Sequence, residues 1–147
     1  MAGYKSNYLQ AALLDLIFNG AAIANLAQNA ASSPLTSLYV SLHTADPGAG
    51  GSQITSEASY TGYGRVAVAR TSGGWVVSGS SPTQVAPAAT IVFPPGTGGG
   101  GTATNFAIGT AASGAGSILY SGPISPGIAL GNGVTPELTT ASTVTED

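Results

Sequence analysis

The sequence predicts a mainly β fold, an antiparallel β-sandwich of jelly-roll kind with an N-terminal α-helix. Three observations carry that expectation. After Pro34 the chain breaks into short β-branched and aromatic runs separated by Gly, Pro, Ser and Asn. Glycine and proline supply 22 and 9 of the 147 residues, as many turns between short strands require. Before Pro34, by contrast, apolar residues recur at helical spacing. The predicted division is a helical segment over 1–34 and a β-sandwich over 35–147, forming a single domain overall.

The helix is signalled by Asn7 as N-cap with Gln10 three residues on as the partner of a capping box. Tyr8, Leu9, Ala12, Leu13, Leu16 and Ile17 then make one broad apolar stripe, and Asn19-Gly20 supplies a stop. Residues 21–33 either extend this helix or form a second short one, and Pro34 ends both options. Strands are expected near Leu38–Thr44, Arg65–Arg70, Trp75–Ser78, Thr83–Ala86, Thr90–Phe93, Thr104–Gly109, Ser117–Ser121, Gly127–Leu130 and Val134–Val144, the last broken near Pro136. Ser72-Gly73-Gly74, Pro94-Pro95-Gly96 and Gly114–Gly116 bound several of them. The unbroken run Gly98–Gly101 is expected to be a mobile hairpin loop. No repeat of fixed period is visible, and the order of strands in the sheets cannot be read from these patterns.

Composition narrows the function. Charged residues are 6% of the chain, against about 25% in ordinary soluble domains. With 43% hydrophobic residues and a net charge of −3, the chain is not of the disordered class. Its surface must consist mostly of Ser, Thr, Gly, Ala and Asn, which gives little charge repulsion between copies and suits a surface covered by partners. Absence of cysteine removes disulfides and thiolate chemistry, and a single histidine excludes a multi-His metal centre within one subunit. Three basic residues cannot neutralise a run of phosphates, so no nucleic acid is expected as a partner. The N-terminal stretch lacks the continuous apolar region of a signal peptide, and no run approaches a membrane span; synthesis in the cytoplasm and no membrane partner are the expectations.

The one candidate for chemistry is LYVSLHTAD at 38–46, where His43 stands three residues before Asp46. Strand alternation places Tyr39, Ser41 and His43 on the more polar face. An enzyme, such as a wall hydrolase using His43 with Asp46 or Glu57, would need a nucleophile or a second acid group that the sequence does not display. Asp46-Pro47-Gly48 reads more simply as a turn. Glu57 and Arg65 flank a tyrosine-rich loop and either pair across it or leave Arg65 to reach a neighbouring subunit. Gly96–Gly101 lacks the Lys-Ser/Thr of a phosphate loop, and no calcium loop pattern occurs. Trp75 is expected to anchor a core or an interface. No catalytic residue, cofactor site or metal site is assigned; Tyr4, Tyr60, Tyr63 and Arg65 are the expected partner contacts, since aromatic and Arg side chains are enriched at interfaces.

Taken in order, NYLQAALLDLIF, LYVSLHTADPGAGG, EASYTGYGRVAVAR, TSGGWVVSG, IVFPP, TNFAIGTAASGAGSILYSGPI and VTPELTT resemble a family of small virion structural proteins of tailed bacteriophages. Its members are labelled tail fibre proteins, and some serve as capsid cement or decoration proteins. The resemblance implies a non-enzymatic β-sandwich or jelly-roll module repeated on the virion, with no catalytic residue to carry over. The first expectation is a cement protein on the capsid surface, binding the major capsid protein lattice as a dimer or trimer and stabilising the head. The alternative is a tail or tail-tip adaptor or receptor-binding module.

Overall fold

The structure, a computed structural model, describes residues 6–23, 33–80 and 82–146. It is mainly β, with antiparallel sheets and one short N-terminal helix, an arrangement compatible with a jelly roll. Among the described residues no helix is long and apolar enough to cross a membrane. The chain divides into two compact units. One comprises 1–36, 69–90 and 139–147, and the other 37–68 and 91–138.

The first unit is built on helix α1 (Asn7–Leu14), which continues into a five-residue π-helical turn, Asp15–Asn19. Ser6, one residue earlier than expected, is the N-cap: its hydroxyl accepts from the Leu9 N–H at 3.2 Å, leaving Asn7 as the first helical residue. The stop at Gly20 holds, with φ 69° in the left-handed region that glycine adopts without strain. Its buried seam differs from the expected stripe. Gln10, Leu14 and Phe18, four residues apart, are buried, whereas Tyr8 is 69% exposed. Arg70 explains how the helix end is satisfied: its Nε and Nη2 donate to the carbonyls of Ile17 and Leu16. A cation there meets both the orphan acceptors and the negative end of the helix dipole.

Against the helix lies a three-stranded sheet in the order β3 (Trp75–Ser78), β4 (Thr83–Pro87), β9 (Val144–Glu146). The fully buried Trp75 meets Phe18 edge to face, ring centroids 4.7 Å apart and inclined at 66°. Trp75 is thus the core anchor of this unit. Of the 21–33 segment, Ala21 and Ala22 are exposed and non-helical, and residues 24–32 lie outside the described set.

The second unit carries a four-stranded sheet in the order β2 (Val66–Ala69), β1 (Ser37–His43), β6 (Gly100–Gly109), β7 (Ile118–Gly131), together with the short pair β5 (Ile91–Val92) and β8 (Glu137–Leu138). The last residue of β2 falls to the first unit. β1 and β6 pair antiparallel, Val40 opposite Ile108 and Leu42 opposite Phe106, and these four side chains are buried. Two expected strands, Ser117–Ser121 and Gly127–Leu130, are one. β7 spans Pro123 and Pro126, and its pairing with β6 shifts register there, from Ile128 opposite Ala103 to Pro123 opposite Asn105; an edge strand with such a bulge accommodates proline.

The glycine run departs from expectation. Gly98 bridges to Thr61, and Gly100 and Gly101 open β6, paired with Gly131 and Leu130. Gly99 has φ +76°, and a Cβ there would stand 3.1 Å from the Cα of Tyr60. At Gly99 the glycine serves a close approach of two backbones.

Candidate functional site

β1 is central in its sheet and buried on both faces, so the more polar face bearing Ser41 and His43 is itself enclosed. Both side chains are 0% exposed. The structure supplies what the sequence did not display: Ser41 Oγ stands 2.9 Å from His43 Nε2. His43 Nδ1 lies 2.8 Å from the Thr55 carbonyl, which can only accept. In the neutral ring Nδ1–H therefore donates to Thr55, and Nε2 is left to accept from Ser41. The Ala107 carbonyl, 3.4 Å from Ser41 Oγ, is the weaker alternative acceptor.

This is the spacing of a Ser–His dyad without its other parts. The orienting group is a neutral carbonyl in place of a carboxylate, and no substrate can reach a fully enclosed hydroxyl. Asp46 has another task. Its Oδ1 accepts from the Gly48 N–H at 2.9 Å, closing an Asx turn, and Gly48 sits at φ 68°. The turn reading of Asp46-Pro47-Gly48 therefore stands.

Beside His43, which forms an antiparallel bridge to Glu57, lies the most highly connected charged pair of the unit. Arg65 Nε donates to Glu57 Oε1 at 2.6 Å and Nη2 to Oε2 at 2.8 Å, a bidentate fork. Remaining Arg65 donors reach the Ala111 and Gly114 carbonyls, each at 2.8 Å. Pairing across the loop, one of the two options read from sequence, is thus realised. The Tyr63 hydroxyl donates to Glu57 Oε1 at 2.9 Å and accepts from the Leu42 N–H at 3.2 Å, tying the pair to β1. Tyr60 is 3% exposed; its hydroxyl donates to the Pro94 carbonyl, and its ring packs edge-on to Tyr63 at 5.3 Å. Tyr60, Tyr63 and Arg65, expected to face a partner, are engaged inside the chain, and Tyr4 lies outside the described residues.

The same layer holds Gln53, which sequence reading passed over. Fully buried, its Nε2 donates to the Tyr39 carbonyl at 3.3 Å, and its Oε1 accepts from the Ala111 N–H at 2.9 Å. One amide thereby clips the loop after β6 to the backbone of β1. The only sequence signals were Gly109 and Gly116, where a side chain would collide with it.

Electrostatics follow from this enclosure. Burial pushes the Tyr63 phenol well above the ordinary tyrosine range; the Leu42 N–H bond opposes this, and the Glu57 carboxylate reinforces it. Burial likewise raises Tyr60, and the bond to Glu57 raises Arg65. A tyrosine whose folded pKa is raised binds its proton more tightly than the unfolded chain does. Its contribution is therefore complete below the unfolded value of about 10 and is lost as pH rises above it. The expected result is a decline in stability from about pH 10 upward that is shallower in Tyr63→Phe, read from urea midpoints between about pH 9 and pH 12. Equal slopes would show that the phenol does not couple to folding.

Among the described residues no group of three His, Cys, Asp or Glu side chains could hold a metal ion. Its hydrogen bonds make the cluster a lock between a loop and a central strand. A model of the family described as Podophage GP4 fiber I protein gp80 matches residues 4–145 of the chain. No curated protein matches it.

Proposed function

The chain belongs to the Podophage GP4 fiber I protein gp80 family of phage virion structural proteins, and from that premise we propose that it is a non-enzymatic, self-associating building block of a virion fibre. The family match over 4–145 is the observation that carries the reading. Two features of the molecule support it. Its one histidine and the serine beside it are sealed in the sheet, where they stiffen the fold. Nine formal charges on 147 residues leave a surface that repels its own copies weakly, as suits dense packing into a dimer or trimer and then a larger assembly.

The cement reading, a layer over the major capsid protein lattice, draws on the same surface and on the absence of a fibrous repeat or heptad segment in the sequence. Fibre and capsid differ in stoichiometry. Quantitative mass spectrometry of purified particles against a labelled standard is expected to find a small copy number, a few per fibre. Hundreds of copies per particle would replace the fibre by the capsid, and absence from the particle would remove both.

A further inference from the structure

Among the described residues, one strand edge of the first unit is left open beside the helix. β3 pairs with β4 antiparallel, Trp75 opposite Pro87 and Val77 opposite Val85. The Ala88 N–H donates to the Gly74 carbonyl, which makes Gly74/Ala88 a hydrogen-bonded pair. Pairs of this kind alternate along the ladder, so Val76 and Ser78 bond to β4 while Trp75 and Val77 turn their main-chain groups outward. Proline at 87 fits this register, because the N–H it lacks would not face β3. The Trp75 N–H is taken by the Thr71 carbonyl. Among the described residues, what remains on the outer edge is the Trp75 carbonyl and both groups of Val77, the pattern that an incoming strand reads.

Beside this edge lies a groove of about 360 Å³, with Trp75 to Gly79 on one side and Ala11, Asp15 and Asn19 of the helix on the other. A single water occupies about 30 Å³, so the groove has room for much more. Trp75 and Asn19, two residues of that lining, each carry a buried polar atom, Nε1 and Oδ1, without a partner among the described residues. The edge also lacks the usual guards: β3 carries neither proline nor charge and leaves Val76 48% exposed, whereas the edge strand β7 carries Pro123 and Pro126.

We infer that the groove between α1 and β3 accepts an extended peptide segment of a partner protein, added as a fourth strand to the β3-β4-β9 sheet. The size of the edge selects this occupant over a folded second copy. Four residues span only about 13 Å at the rise of a strand, a small patch beside the roughly 800 Å² per partner of a stable interface. Main-chain pairing is the mode that obtains affinity from so short an edge. Asp15 is the one charged side chain in the lining, so the segment carries Lys or Arg facing the helix and is otherwise uncharged.

The test titrates the ¹⁵N-labelled full chain with the capped peptide Thr-Val-Lys-Val-Thr, with an analogue N-methylated on the backbone, and with one bearing Glu for Lys. The parent peptide is expected to shift the Val77 amide resonance. Each analogue should bind about tenfold more weakly, the equivalent of one lost hydrogen bond or charge contact, and Asp15→Asn should abolish the preference for Lys over Glu. No shift at Val77, or equal binding of the N-methylated peptide, would overturn the inference. So would a Val77 amide that becomes protected with rising protein concentration alone, since the occupant would then be a second copy.

Discussion

Replacing Arg65 by methionine is expected to lower the stability of the chain by about 3 kcal/mol, near the cost of breaking a buried ion pair by removing one partner. The Arg65 side chain is 2% exposed and that of Glu57 15%, so the carboxylate left behind recovers only part of its hydration. It would keep one neutral partner, the Tyr63 hydroxyl, and lose a bidentate cation. The Ala111 and Gly114 carbonyls lose their donor in the same step, which frees the loop after β6. Methionine fills much of the arginine stem's volume, so the loss reports charge and hydrogen bonds more than a cavity. The measurement is the urea midpoint with its slope, joined to amide exchange at Ala111. Glu57→Gln combined with Arg65→Met should recover part of the loss by removing the stranded charge. A loss below about 1 kcal/mol, the range of a surface pair, would show that solvent reaches the site after all.

What could be read from the sequence divides by the range of the interaction. Helix and strand positions were legible because their signals are local: Gly20 closes the helix, and Ser72-Gly73-Gly74 sets the start of β3 at Trp75 as expected. The Glu57–Arg65 pair was legible as an option because charges are so few that each has few possible partners. Pairing was not. Residues paired between β1 and β6 lie more than 60 positions apart, and burial of both faces of β1 follows from its central place in the sheet, which alternation within one strand cannot reveal. Alternation therefore places His43 on the more polar face and cannot tell that this face is enclosed. The glycine run was misread because glycine marks both freedom and close approach, and only the neighbouring Tyr60 and Gly131 backbones decide between them. Gln53 left almost no trace, since an amide that satisfies backbone groups needs no motif of its own.

That last residue carries the other large effect. Gly109→Ala is expected to cost about 3 kcal/mol, although it adds one methyl group. A Cβ at 109 would fall 2.2 Å from Gln53 Cδ and 2.6 Å from both its amide heteroatoms. An exposed glutamine would swing away. This one is 0% exposed and held at both ends, to Tyr39 and Ala111, while its own N–H donates to the Gly116 carbonyl at 2.9 Å. To yield, it must leave the Tyr39 carbonyl and the Ala111 N–H unpaired. Overpacking at about 1–3 kcal/mol and stranded polar groups at about 1–3 kcal/mol then act together. Gln53→Ala alone removes the clip and leaves the same two groups unpaired, so it too destabilises. The decisive result is the double variant. Gln53→Ala with Gly109→Ala should be more stable than the sum of the single losses predicts, by about 1–3 kcal/mol, because the alanine at 109 then has nothing to strike. Strict additivity would mean that the glycine answers to its backbone alone, and that the amide clip is not what ties the 110–117 loop to β1.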